Sequence, residues 1–280
     1  VLVLTLAYTG AEIAGGIVSG SLALLADAGH MITDNLALGL AALASWFASR
    51  PPDRGRTYGY QRAEILAALA NGIVLAVVCG FIFWEAIRRF SAPPEIRTGL
   101  MAWVAAGGLL VNAVSARLLH RHVHSLNARA AFLHVLGDLL GSVGVLAASA
   151  AIAWLGWLWA DPVTSIVIGV VVIVGAVRVV LESIHVLMEG APGHLDAEEI
   201  QAALASLGGV SDVHDLHLWS LGGRAPLLTA HLRVEHSVRP HDVLRAATAT
   251  LRERFGIDHV TLQIEPADFN IRTRLDSVDR

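Results

Sequence analysis

The chain has 280 residues, of which 55% are hydrophobic and only 16% charged, and its mean hydropathy is +0.59. Soluble domains carry nearer a quarter charged residues, so the bulk composition argues against a soluble protein and for a bilayer. The net charge of −4, with dispersed basic residues that are all arginine, gives no nucleic-acid footprint; the single cysteine, Cys79, excludes an internal disulfide and any CxxC site.

Apolar stretches long enough to cross about 30 Å of hydrocarbon occur six times, near 1–18, 22–48, 64–88, 99–119, 127–155 and 161–187. The first runs into the second with no A-x-A-like cleavage site, so no removable signal peptide is expected. Cys79 lies inside an apolar run and reads as a small buried hydrophobe. From residue 189 onward charges, histidines and short alternating runs replace the apolar stretches, which marks a soluble domain. It reads as α-β-β-α-β: a helix over about 196–206 capped near Asp196, strands near 213–220 and 226–235 split by Leu221-Gly222-Gly223, a helix over about 240–255 ended by Gly256, and a strand over 258–265. So small a unit favours support from a partner copy.

The arginines set the orientation. Arg50, Arg54, Arg56 and Arg62 lie between spans two and three, and Arg117, Arg121 and Arg129 between spans four and five; Arg88, Arg89 and Arg97 lie on the opposite side. The bias puts both termini and the soluble domain in the cytoplasm.

Span two contains His30-Met-Ile-Thr-Asp34 and span five His134-Val-Leu-Gly-Asp138. In each, His and Asp are four apart, so each pair shares one helix face, one turn apart. Ionisable groups in hydrocarbon are costly unless paired or hydrated. The two helices run antiparallel, and Asp34 and Asp138 both fall near the bilayer midplane at 1.5 Å per residue. Two imidazoles and two carboxylates match tetrahedral zinc, whereas magnesium and calcium want oxygen alone. A lone intramembrane His or Asp is more often a helix–helix hydrogen bond; the doubled arrangement tips the reading to metal, with a proton relay as the main alternative. Asp27, one turn before His30, either guides ions towards the site or caps local polar groups. Glu12, Asn71, Asn112 and Asp161 read as helix-packing hydrogen bonds, and Gly137, Gly141 and Gly144 give span five one smooth side. His120, His122 and His124 form either a metal-collecting loop or a solvated one.

In the tail, His214 and His217 are three apart and should face opposite sides of a regular strand, with His231 on the next strand and His241 on the second helix. A tail metal site is expected. Two rival functions remain: an intramembrane metalloenzyme, which lacks an HExxH motif or another evident general base, and a metal sensor whose membrane part only anchors the tail. The sensor reading leaves the doubled ligand pair unexplained.

The segments SLALLADAGHMITDNLAL (21–38), YGYQRAEILAALANG (58–72), FLHVLGDLLGSVGV (132–145), VHDLHLW (213–219), TAHLRV (229–234) and VTLQIEP (260–266) resemble, in order and over nearly the whole chain, the cation diffusion facilitator family of zinc, cadmium and cobalt efflux proteins. The resemblance implies a homodimer of six-span protomers, with a transport domain over 1–188, a ferredoxin-like cytoplasmic domain over 189–270 and a tail over 271–280. It implies export of zinc or a similar divalent cation in exchange for protons by alternating access, in a bacterial inner membrane among its lipids, with no nucleic-acid partner and no enzymatic activity. His30, Asp34, His134 and Asp138 fall on the family's transport ligands, and His in both first positions resembles the zinc-preferring pattern. A second zinc, as regulatory ligand, falls on His214, His231, His241 and Glu265. Gln263 stands where members often place a histidine, with His217 as a substitute. Arg56 and Tyr60 occupy the positions of a further loop site, which is expected to be missing. Arg62 and Glu189 fall where some members hold a charge pair linking span three to the tail.

Overall fold

A computed structural model describes residues 2–120, 126–222 and 226–268; the side chains of 2–4, 119–120, 126–131, 133 and 134 lie outside that description. Six helices come first: α1 Leu2–Ser19, α2 Leu22–Ala48, α3 Arg62–Ser91, α4 Thr98–His120, α5 Leu126–Leu155 and α6 Ala160–Leu187. Each matches an apolar run of the sequence to within a few residues, because a backbone in hydrocarbon must satisfy its own polar groups and a helix does so locally. Five of them, α2 to α6, have described stretches long and apolar enough to cross a bilayer. The first, α1, is shorter at 18 residues.

The chain forms two compact units, one of residues 1–43 and 67–180 and the other of 44–66 and 181–280. In the helical unit Ala23, Leu24, Met101, Ala105, Val145, Ala148, Ile152 and Ala160 make one buried cluster, joining α2, α4, α5 and α6 near the α1–α2 turn. A second cluster joins α3 and α6 through Leu75, Cys79, Val172 and Ala176, so Cys79 is a small core hydrophobe. Large apolar side chains instead cover the outside: Trp103 is 80% exposed and Val171 71%. That inversion suits a lipid surround and would be an aggregation hazard in water. Polar and close small-residue contacts also join the helices. Asn112 Nδ2 donates to Ser142 Oγ at 3.4 Å, and a Cβ on Gly72 would stand 2.7 Å from Val180 Cγ2.

The second unit contains α7 Ala197–Ala205, β1 Val210–Ser220, β2 Pro226–Val234, α8 Pro240–Phe255 and β3 His259–Pro266. Asp196 caps α7 by accepting from Glu198 N at 2.9 Å, and Gly256, at φ 68°, closes α8 in the left-handed conformation that favours glycine. The strand order is β1-β2-β3, with β1 antiparallel and β3 parallel to β2. Ile200, Leu204, Val213, Leu218, Leu228, Ala230, Leu232 and Leu251 fill the core between the helices and one sheet face.

One expectation about the other face is corrected. His214 pairs with His231 and His217 with Thr229, so three steps on β1 answer two on β2. This bulge, with Asp215 at φ 49°, reverses the alternation and puts His214 and His217 on the same face.

Candidate functional site

α2 runs unbroken through His30 and Asp34, so the i,i+4 spacing becomes contact: His30 Nε2 lies 3.5 Å from Asp34 Oδ2. From α5, Asp138 brings Oδ1 to 3.7 Å from the same nitrogen. One imidazole thus stands between two carboxylates from two helices, and Asp138 is only 8% exposed. His134 lies one turn before Asp138 on the unbroken α5, but its side chain lies outside the described residues. These three side chains open on a cavity of about 570 Å³ walled by α2, α3, α5 and α6. Gly137, Gly141 and Gly144 line it, so the smooth side of α5 faces the cavity. A Cβ on Gly141 would stand 3.3 Å from Asp27 Oδ1. Asp27 lines the same cavity and lies beside Glu12 of α1. Of the other polar residues, Asn71 lines the cavity, while Asp161 ties α6 to the α1–α2 turn.

Chemically, clustered carboxylates with one imidazole in a low-dielectric wall call for a cation. The donors are nitrogen and oxygen, which suits a divalent transition metal.

In the sheet, Glu265 is buried and clasped by two histidines. His231 Nδ1 lies 3.1 Å from Oε1 and His214 Nε2 3.3 Å from Oε2, and all three ligand atoms fall within 4.8 Å of one another. The parallel register of β2 and β3 sets this: His231 faces Gln263 and Arg233 faces Glu265. Gln263 Nε2 donates to Glu265 Oε1 at 2.8 Å and so orients the carboxylate. His217 joins through a residue the sequence reading passed over. Asp215 lies 3.0 Å from His217 Nε2 and 3.5 Å from His231 Nε2, carried there by the bulge. The run His-Asp-Leu-His held the signal, but regular alternation hid it. His241 does not join this group within one chain; it stands on the outer side of α8, with Nδ1 3.9 Å from Asp242. Arg62 Nη2 does meet Glu189 Oε1 at 3.1 Å.

In the α2–α3 loop, Asp53 accepts from Tyr60 Oη at 2.6 Å and from Gly55 N and Arg56 N at 2.8 Å each. The Tyr60 hydroxyl above all, with those amides, holds the Asp53 carboxyl below the usual aspartate range. Arg56 stacks over the Tyr60 ring at 4.8 Å, so these two residues form an internal clip. His122 and His124, and the side chain of His120, lie outside the described residues, as do Gly223 and residues 271–280.

The model of the cation efflux transmembrane domain matches residues 1–188, and that of the cation efflux protein cytoplasmic domain matches residues 192–267. The chain belongs to the cation efflux, or cation diffusion facilitator, family. Cation efflux proteins similar to it include the zinc transporter ZitB of Escherichia coli, 44% identical over 91% of this chain and 82% of that protein. The cadmium, cobalt and zinc/H(+)-K(+) antiporter of Bacillus velezensis is 39% identical over 92% and 84%, and the metal cation efflux system protein CzcD of Cupriavidus metallidurans 41% identical over 95% and 86%. As a member of this family the chain is a multi-pass membrane transporter of divalent metal cations, and not an enzyme.

Proposed function

We propose that the protein exports zinc, and related ions such as cadmium, cobalt or nickel, from the cytoplasm in exchange for protons. The observation that carries this reading is the approach of His30, Asp34 and Asp138 around one point of the helical cavity, at 3.5 and 3.7 Å. Zinc coordination requires neutral imidazole and ionised carboxylate, so metal entry releases protons and protonation expels metal. Histidine, with an ordinary pKa near 6.5, makes that exchange accessible at physiological pH. The pair on α2 and the pair on α5, His134 and Asp138, complete four ligands. Alternating access then presents this site to each side in turn, with Asp27 at the cavity wall guiding the ion.

The rest of the reading follows the arginine bias and the family. α1 is the sixth spanning helix; both termini and the 189–270 domain are cytoplasmic; residues 271–280 are a tail. The membrane is a bacterial inner membrane, and two copies assemble through the αββαβ domain, a ferredoxin-like arrangement with one strand fewer. Zinc on His214, His231 and Glu265, with His217 close by, stabilises one arrangement of the dimer and senses cytoplasmic load. If removing His214 and His231 leaves the metal dependence of flux unchanged, the sensing role fails. Arg62 and Glu189 couple the tail to α3.

The proposal is tested by zinc titration of purified full-length protein carrying His214→Ala and His231→Ala, with bound metal and released protons measured together. One zinc per chain with proton release, both removed by Asp34→Ala, is the expected outcome; binding that persists in Asp34→Ala would place the metal elsewhere.

A further inference from the structure

Asp161, on the first turn of α6, is 0% exposed. A carboxylate so buried persists only when hydrogen-bonded or paired, and here its partners come from distant parts of the chain. Its Oδ1 accepts from Ser21 Oγ at 2.6 Å and from Ala23 N at 3.1 Å, while Oδ2 accepts from Leu22 N at 2.8 Å. Ser21 Oγ in turn accepts from Leu24 N at 3.2 Å. The first amides of a helix have no partner inside it and are ordinarily satisfied by the residue just before it. At α2, two of them are instead closed by a side chain of α6.

The same carboxylate reaches a third helix. Arg89 of α3 places Nη1 3.4 Å from Asp161 Oδ2 and 2.6 Å from the Gly20 carbonyl, and its Nε 3.0 Å from Glu85 Oε1. Gly20, at φ 76°, makes the left-handed turn between α1 and α2, and Arg97 N donates to the Ser19 carbonyl at 2.9 Å. The start of α2 is therefore fixed to α3 and α6, and those three helices are three of the four walls of the cavity that holds His30, Asp34 and Asp138. From Leu22 to His30 is eight residues, about 12 Å along the axis. A site whose ligands come from two helices is only as well formed as the placement of those helices.

We propose that Asp161 is a positioning residue for the metal site: by capping α2 from α6 and holding Arg89 of α3, it sets where His30 and Asp34 stand relative to Asp138. It touches neither metal nor ligand. The inference rests on the reading of His30, Asp34 and Asp138 as the metal site, and the test separates the two.

The test is the zinc dissociation constant of the membrane site, measured by equilibrium titration of full-length protein carrying His214→Ala and His231→Ala, alone and with Asp161→Asn. The amide keeps the size and one acceptor but turns a donor towards the Leu22 amide or Arg89. The expected result is a dissociation constant raised about tenfold in protein that remains monodisperse, comparable to loss of a helix cap, and an intermediate value for Asp161→Glu, which restores the charge. Lower yield with an unchanged dissociation constant is the signature of a purely structural role and overturns the proposal. If Asp161→Asn does not fold, Ser21→Ala removes the 2.6 Å and 3.2 Å bonds and leaves the carboxylate. A rise of about threefold is then expected, and an unchanged constant overturns the proposal. No zinc binding in the parent protein refutes the metal site itself; binding there that Asp34→Ala removes, but Asp161→Asn leaves unaltered, refutes only the positioning role.

Discussion

Replacing Glu265 by Gln tests the tail cluster with little change of shape. The carboxylate lies 3.1 Å from His231 Nδ1, 3.3 Å from His214 Nε2 and 2.8 Å from Gln263 Nε2. Gln fills the same space but removes the anion that makes two imidazoles and a carboxylate a ligand set. Loss of an outer partner of a metal ligand costs about 10- to 100-fold in affinity, so loss of the ligand itself should cost at least about a hundredfold, or about 2.7 kcal/mol. Gln263→Ala, which removes only the orienting donor, should cost about tenfold. The assay is zinc titration of full-length protein carrying Asp138→Ala, so that the membrane site does not contribute. Affinity within about twofold of the parent for Glu265→Gln would refute the assignment of Glu265 as a ligand.

Three further outcomes are expected. Gly72→Leu forces a side chain against Val180 and the Ala176 carbonyl of α6, where even a Cβ stands 2.7 and 3.4 Å away; metal flux should be lost, and flux at the parental rate would show that α3 and α6 need not pack closely. Arg62 and Glu189 form a solvated pair, 38% and 64% exposed in their side chains, so charge reversal of either should change thermal stability by no more than about 1 kcal/mol. Flux should nevertheless fall in both Arg62→Glu and Glu189→Arg and recover in the double swap; a double swap that behaves like either single variant contradicts the coupling role. Asp53, held below the usual aspartate range chiefly by Tyr60, contributes loop order that is complete above the unfolded aspartate value of about 3.9 and lost as pH falls through the lower folded value. Hydrogen exchange at the Gly55 and Arg56 amides should therefore stay slow down to about pH 4, and loss of protection near pH 5 to 6 would contradict this.

Much of this architecture is legible in the sequence because the strongest constraint acts locally. Apolar runs in hydrocarbon must be helices, so α2 to α6 appear within a few residues of their expected places. A spacing of four on a helix cannot avoid bringing His30 to Asp34. Asp196 and Gly256 likewise mark the ends of α7 and α8 by local chemistry. What escapes is whatever depends on a partner far along the chain or on one unusual torsion. Asp215 takes a left-handed φ that non-glycine residues seldom adopt, and that single torsion moves His217 to the face of His214. Asp161 reads as an ordinary helix-packing polar group, yet its partners at the start of α2 lie 138 to 140 positions away. Gln263 reads as a missing ligand, and only the register of β3 against β2 turns its amide to Glu265.

The central claim is that one site on α2 and α5 carries the metal across the membrane against protons. Zinc flux into proteoliposomes under an imposed pH gradient, compared between the intact protein and Asp138→Ala, tests it most directly. Flux that follows the gradient in the intact protein and disappears in Asp138→Ala is the result this account requires. Undiminished, gradient-driven flux in Asp138→Ala would remove the site from the transport mechanism.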